Sequence, residues 1–74
     1  MITSEMFKYM QARRVGNTDV IQALPNDPIL IQAQQDGYAD FNGAAWIGRG
    51  KIQRGERRVV RHYDGTVREI VGDE

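Results

Sequence analysis

The spacing of apolar residues along this chain changes near Pro25. Before that proline, apolar residues recur at the three- and four-residue intervals of a helix. After it, short apolar or β-branched runs alternate with turn dipeptides, which is typical of antiparallel strands. The change predicts an α+β fold: one or two short N-terminal helices packed on a small antiparallel β-meander of three to five strands. Closure of the meander into a barrel is an open alternative.

The first helix is predicted to begin near Ser4 and to end before Gly16. Thr3 or Ser4 is a suitable N-cap, and Glu5 complements the positive end of the helix dipole. Gly16 is a typical residue just beyond a helix C-terminus. We therefore expect a helix of about three turns here.

A second short helix is predicted to follow at once, through Val20 and Leu24. Asn17 or Thr18 can serve as its N-cap. Pro25 ends it, because proline lacks the backbone N–H that a helix interior needs. The two helices would form the helical part of the molecule, residues 1–25.

Residues 28–35 carry signals for both helix and strand. Asp27 as N-cap, Pro28 at the first helical position and Gly37 beyond the end favour a helix. The apolar run 29–31, followed by a hairpin-type Asp-Gly dipeptide, favours a strand. We favour the strand, because the rest of the chain continues in that style.

Four turn dipeptides divide the remaining chain. They begin at Asp36, Asn42, Gly55 and Asp64. The predicted strands between and after them are residues 38–41, 44–53, 57–63 and 66–71. Residues 28–71 would then be the β-rich part of one domain spanning residues 1–74, and residues 72–74 a frayed tail.

The register of the last hairpin depends on its turn. A two-residue turn at Asp64-Gly65 would place Arg61 directly opposite Arg68, and like charges in that position repel. A three-residue turn with a bulge would shift the register and separate the two arginines. We favour the longer turn, and an anion between the two guanidinium groups is the alternative.

The candidate core combines the helical stripe with inward-facing strand residues. Trp46 is expected to be buried, with a role as an interface anchor as the alternative. The full set is Met6, Phe7, Met10, Val20, Ile21, Leu24, Ile31, Phe41, Trp46, Ile52, Val59 and Ile70.

Composition excludes several kinds of reinforcement and chemistry. The 74 residues include no cysteine and one histidine, which argues against a disulfide or a zinc site. We also expect no cofactor. His62 has no second histidine or cysteine with which to form a catalytic pair. Gly48-Arg49-Gly50-Lys51 does not fit the phosphate-loop pattern, because Ile52 follows the lysine. No apolar run approaches the 18 or so residues of a membrane span. We expect a cytoplasmic, non-enzymatic protein.

Positive charge is concentrated between Gly48 and Tyr63. This segment holds six of the ten basic residues, although the whole chain has a net charge of zero. Such a polarised chain can steer a partner by its electric field. Arg49 and Lys51 are expected to point to one exposed side of a strand. The predicted binding residues are Arg49, Lys51, Arg54, Arg57, Arg58, Arg61, Tyr63 and Arg68.

Two classes of function fit this pattern. The first is a small protein-binding module, such as an inhibitor, adaptor or assembly subunit of the kind that phages and mobile elements encode. It would act through its basic β-surface on an acidic protein surface, and an exposed edge strand could also pair with a second copy. The alternative is a regulatory nucleic-acid-binding protein, with a basic β-surface or a winged-helix-like arrangement. The net charge of zero favours the first class.

Overall fold

The computed structural model describes residues 4–73, which form two short helices and two antiparallel sheets, so the predicted α+β class is confirmed. No closed barrel is found in this part of the chain. The candidate cap Thr3 and the last residue, Glu74, lie outside the described residues. In chain order the elements are α1 (Ser4–Ala12), β1 (Val20–Ile21), α2 (Pro28–Gln35), β2 (Ala39–Phe41), β3 (Trp46–Gly48), β4 (Arg57–Arg61) and β5 (Val67–Val71).

The first predicted helix is confirmed as α1. Glu5 lies in its first turn, and Met10 is buried on its inner side. Near its end, the Tyr9 hydroxyl donates a hydrogen bond to the Asp27 carboxylate, and the Arg13 guanidinium lies 3.8 Å from the centre of the Tyr9 ring. The hydrogen bond to Asp27 raises the pKa of Tyr9. The hydrogen bond to Asp27 attaches the last turns of α1 to the N-cap of α2.

The predicted second helix is wrong, because its residues form β1 instead. Thr18 does not cap a helix: its hydroxyl donates back to the Val15 carbonyl at 2.6 Å. The chain then reverses, and the Val15 N–H donates to the Val20 carbonyl at 2.9 Å. Gly16, with a φ of 55°, permits this turn. Ile21 thereby enters a sheet rather than a helical stripe.

The preference for a strand at residues 28–35 is also wrong, because the segment is helix α2. The Asp27 carboxylate accepts hydrogen bonds from the N–H groups of Ile29 and Leu30, at 2.8 and 3.3 Å. At the other end, Gly37 has a φ of 90°, and the Tyr38 N–H donates to the Ala33 carbonyl. Both ends therefore have helix-capping geometry, and these caps override the strand propensity of the apolar run.

The larger sheet has the strand order β1-β3-β2, with antiparallel pairing throughout. Trp46 on the central strand lies opposite both Ile21 and Phe41. Its ring is buried and meets Phe41 edge to face at 5.1 Å, and its Nε1–H donates to the Leu24 carbonyl at 2.9 Å. The expectation that Trp46 belongs to the core is confirmed.

The predicted strand 44–53 is much too long. β3 ends at Gly48, and residues 49–56 form a loop without strand pairing. Gly50 has a φ of 75°, which is incompatible with an extended strand. The sequence pattern predicted that Arg49 and Lys51 lie on one face of a strand, and this prediction is wrong because both residues lie in the loop.

The second sheet is the hairpin of β4 and β5. Arg61 lies opposite Val67, and Arg68 lies opposite Val60. The His62 N–H donates to the Thr66 carbonyl at 2.7 Å, which leaves residues 63–65 as a three-residue turn. The preferred longer turn is confirmed, and the two arginines do not face each other.

The core predictions are partly confirmed. Of the candidates, Met10, Ile21, Phe41, Trp46 and Ile52 are buried. Leu24 and Val59 were wrongly assigned, because 71% and 57% of their surfaces are exposed. The buried apolar residues that the pattern missed are Leu30, Ala33, Ala39 and Val60.

The predicted fraying of residues 72–74 is wrong for Gly72, which is buried. Its N–H donates to the Glu56 carbonyl at 2.9 Å, and its carbonyl accepts from the Gly55 N–H at 2.8 Å. A Cβ atom at this position would lie 2.0 Å from the Gln53 carbonyl oxygen. Glycine is required here because the two backbone segments are in close contact.

Candidate functional site

Strand β4 separates its three arginines onto two faces. Arg57, Val59 and Arg61 are exposed, whereas Arg58 and Val60 are buried. This alternation is the ordinary two-residue period of a strand with one covered face. Two of the predicted binding residues, Arg57 and Arg61, are therefore available on the surface, and the third is not.

Arg58 is a structural residue by its contacts. Only 7% of its surface is exposed, so the expectation that it belongs to an exposed basic face is wrong. Its guanidinium donates to the Gly37 carbonyl at 2.9 Å and to the Gly50 carbonyl at 2.7 Å. It also forms a 2.8 Å ion pair with Glu56. Arg58 thus ties the end of α2 and the 49–56 loop to β4.

Glu56 orients the buried arginine. Its Oε1 accepts a hydrogen bond from the Gln53 N–H at 2.8 Å, and its Oε2 accepts from Arg58. The hydrogen bond from Gln53, followed by the interactions with Arg58, lowers the pKa of the Glu56 carboxyl. The carboxylate therefore keeps its charge and its ion pair with Arg58 in mildly acidic conditions.

The other predicted binding residues are scattered. Arg49, Lys51 and Arg54 are exposed in the 49–56 loop. Arg68 is exposed on β5, on the same face as its cross-strand partner Val60, and Tyr63 lies in the hairpin turn. The eight predicted residues therefore do not form one continuous basic surface.

A continuous exposed surface does exist on the hairpin, and we call it the outer hairpin face. β4 and β5 each contribute three residues to it: Arg57, Val59 and Arg61 from β4, and Val67, Glu69 and Val71 from β5. The three valines expose 57%, 52% and 53% of their surfaces. Arg57 forms a 3.6 Å ion pair with Glu69, whereas Arg61 has no ion pair within residues 4–73. The face thus alternates valines with charged side chains and carries a net positive charge.

The three valines are absent from the binding residues that the sequence predicts. The sequence pattern places Val59 in the core and gives Val67 and Val71 no binding role. The signal that could have identified them is the alternation of arginine and valine across β4, once the true hairpin register places valines opposite Arg57 and Arg61. That register is a property of the turn and is not visible in either strand alone.

Strand β5 also presents a free edge. Hydrogen-bonded pairs alternate in an antiparallel ladder. The His62–Thr66 pair at one end and the Glu56–Gly72 pair at the other are both hydrogen-bonded, so every second pair between them is hydrogen-bonded as well. Val67, Glu69 and Val71 belong to the pairs that are not hydrogen-bonded, and their backbone N–H and C=O groups therefore point away from β4. Within the described chain, no other strand pairs with β5.

A cleft of about 300 Å³ adjoins the outer hairpin face, where the two sheets meet. The Arg61 N–H of β4 donates to the Asp40 carboxylate of β2 at 2.5 Å. This side-chain hydrogen bond takes the place of a backbone hydrogen bond between the two strands. Phe41, Val59 and Val67 supply apolar wall. The cleft could accept a side chain of a partner lying on the hairpin.

The hairpin turn has its own hydrogen-bond network. The His62 and Tyr63 rings are in contact, with centroids 4.4 Å apart. Asp64 accepts from the Thr66 N–H at 2.8 Å, and its carboxylate lies 3.1 Å from His62 Nδ1. The hydrogen bonds from the Thr66 side chain and backbone, with a smaller effect of His62, lower the pKa of Asp64. These contacts order the end of the outer hairpin face.

Other kinds of site are not evident in residues 4–73. No group of three histidine, cysteine, aspartate or glutamate residues that could hold a metal ion occurs among them. None of the helices described is both long and apolar enough to cross a membrane. Comparison with protein-family models, curated proteins and solved structures finds no match to this chain.

Proposed function

We propose that this protein is a small non-enzymatic protein-binding module, an inhibitor, adaptor or assembly subunit, that holds an acidic protein partner on its outer hairpin face. One observation carries the proposal. Three valines, each more than half exposed, alternate with Arg57, Arg61 and Glu69 on a hairpin that has a free edge. Exposed apolar side chains mixed with arginines are a common feature of protein interfaces.

The outer hairpin face and its surroundings offer a partner four kinds of interaction. Complete burial of a valine side chain contributes about 1.5–3 kcal/mol, so the valines can supply much of the affinity. Arg57 and Arg61 favour a partner of negative potential and increase the rate of encounter. The free edge of β5 can add a strand through backbone hydrogen bonds. The adjoining cleft can receive one anchoring side chain.

The same arrangement is less suited to nucleic acid. Base stacking needs exposed aromatic rings, but Trp46 is completely buried and the outer hairpin face itself has no aromatic residue; the exposed Tyr63 lies in the adjoining turn. Arg58 is buried as well, which removes one cation from the surface that would contact phosphates. Valines on the outer hairpin face cannot donate hydrogen bonds to a phosphate backbone. These points favour a protein partner.

The proposal is tested by affinity capture from native host lysate, with and without nuclease. The wild-type protein is compared with the double variant Val59→Ser/Val67→Ser. Leu24→Ser is the matched control, because Leu24 is an exposed apolar residue outside the hairpin. We expect an acidic protein that survives nuclease treatment and is lost with the double variant but retained with Leu24→Ser. Capture that is equal for all three baits would refute the proposed surface.

A direct titration tests the nucleic-acid alternative. Generic duplex DNA and single-stranded RNA are titrated at about 0.15 M salt, where non-specific DNA binders show dissociation constants of roughly 10⁻⁴ to 10⁻⁶ M. We expect weaker binding than this range. Micromolar binding that Arg57→Glu/Arg61→Glu abolishes would assign the surface to nucleic acid. Dimers in light scattering that are lost with Val59→Ser/Val67→Ser would assign it to a second copy of the chain.

A further inference from the structure

A second cavity, outside the outer hairpin face, lies between α1, β1 and the end of β3. Its volume is about 410 Å³, within the range of roughly 300–1,000 Å³ that small-molecule sites occupy. Phe7, Met10 and Ile21 form an apolar wall, and Met10 and Ile21 also belong to the buried core. The cavity is open to solvent on one side, and a ligand in it would contact the core through Met10 and Ile21.

Two arginines give this cavity its charge. Arg14 and Arg49 both line it, and Asp19 is the one carboxylate among the lining residues. Arg14 forms no ion pair within the part of the chain described. Arg49 lies 3.8 Å from Asp40, a long contact with a carboxylate that already accepts the Arg61 N–H. The net charge of the lining is positive, and neither cation is held by a close ion pair.

The backbone around these side chains is well fixed. Arg14 is bridged to Ile21, and the Gly48 N–H donates to the Asp19 carbonyl at 2.7 Å. The Arg49 N–H donates to the Tyr38 carbonyl at 3.0 Å. The backbone positions of the two cations are therefore fixed by hydrogen bonds, so a ligand has to order only their side chains.

We propose that this cavity binds a small organic anion: a carboxylate or phosphate group held by Arg14 and Arg49, carrying a ring or short chain that packs on the apolar wall. Guanidinium groups are well matched to both kinds of anion. Gln11, also in the lining, supplies an amide for a further hydrogen bond. The site is independent of the outer hairpin face, since the two share no residue.

The test uses four probes that share one ring and differ in charge. Benzoate and phenyl phosphate are the anions, benzyl alcohol is neutral and benzylamine is a cation. Binding is followed by the amide NMR signals of Gly48 and Gly50, which lie in the lining. We expect saturable shifts with at least one anion, and affinity at least tenfold lower for the alcohol and the amine. The anion that binds more tightly then shows whether the cavity prefers a carboxylate or a phosphate group.

Variants locate the binding. Arg14→Gln and Arg49→Gln should each weaken the better anion at least fivefold, whereas Arg54→Gln, an exposed arginine outside the lining, should not. Unchanged chemical shifts elsewhere in the spectrum verify that the variants fold. The proposal is overturned if neither anion gives saturable shifts, if benzylamine binds as well as benzoate, or if Arg14→Gln and Arg49→Gln bind like wild type.

Discussion

At the scale of single residues, the same side chain has opposite roles at neighbouring positions. Arg58 and Arg61 are both cations of β4, but Arg58 is buried with three partners and Arg61 is exposed. The sequence shows equal charges at both positions. Burial of a guanidinium is tolerated only when carbonyl and carboxylate acceptors surround it, and those acceptors come from distant residues such as Gly37. Charge alone could not distinguish the two.

We predict that Arg58→Ala lowers the free energy of unfolding by about 1–3 kcal/mol, because the Gly37 and Gly50 carbonyls lose their buried hydrogen-bond donor. Arg61→Ala, the matched control in the same strand, should change it by less than about 0.5 kcal/mol, as exposed substitutions usually do. Urea denaturation measures both values. Equal effects of the two substitutions would contradict the structural role of Arg58.

The lowered pKa of Glu56 predicts a specific acid sensitivity. The folded-state pKa lies below the unfolded value, so the stabilisation is complete above the unfolded pKa and is lost as pH falls through the folded pKa. Glu56→Gln cannot titrate and should lose this dependence. We expect the melting temperature to fall less for Glu56→Gln than for wild type between pH 6 and pH 3. Parallel curves for the two proteins would argue against the Glu56 contacts.

At the scale of elements, some of the fold could be predicted and some could not. The signals at Asp27, Pro28 and Gly37 predict α2 correctly, but the apolar run between them outweighed these signals in the sequence analysis. β1 has only two residues, Val20 and Ile21, and it exists because β3 provides a pairing partner. Such a strand has no local signal. Local chemistry therefore indicates helix ends and turns, whereas strand pairing depends on tertiary contacts.

The N-cap of α2 can be tested directly. Asp27→Ala should lower the free energy of unfolding by about 0.5–2 kcal/mol through loss of the cap alone. Asp27→Asn should retain most of the capping contribution, because asparagine is an equally good N-cap. Measuring each change in a Tyr9→Phe background removes the contribution of the Tyr9 hydroxyl. If Asp27→Asn is as damaging as Asp27→Ala there, the capping account is wrong.

Strand β4 gives a second element-scale prediction, based on its alternation. Val60 is completely buried and Val59 is more than half exposed. Val60→Ala should destabilise the protein by about 1.5–3 kcal/mol, since it removes buried methyl groups. Val59→Ala should change stability by less than about 0.5 kcal/mol. Chemical denaturation of the two variants checks the hairpin register, because a shift of one residue would reverse their order.

At the scale of the whole molecule, the residues that hold the fold together and those offered to a partner are largely separate. The core cluster lies between the two helices and the larger sheet, around Trp46. The outer hairpin face lies on the other sheet. The sequence predicted one basic surface in this region, but its residues do not lie together, because Arg49, Lys51 and Arg54 lie in a loop and Arg58 is buried. The exposed valines emerged only from the strand pairing.

This separation means that binding can be removed while the fold is retained. Charge reversal at Arg57 and Arg61 should slow association with an acidic partner without unfolding the protein. Affinity should fall between 50 and 200 mM salt by much less than the roughly 10³–10⁵-fold expected for a protein with many phosphate contacts. Stopped-flow association at the two salt concentrations measures both effects, and an equally steep loss would favour nucleic acid.

The most direct test of the central claim is the dissociation constant of the captured partner for the wild-type protein and for Val59→Ser/Val67→Ser. Isothermal titration calorimetry measures this dissociation constant at about 0.15 M salt, the same salt concentration as in the nucleic-acid titration. We predict at least a tenfold loss of affinity, about 1.4 kcal/mol, for the double variant and no change for Leu24→Ser. Equal affinity of the double variant and the wild type, with both proteins folded, would contradict the claim that the outer hairpin face is the binding surface.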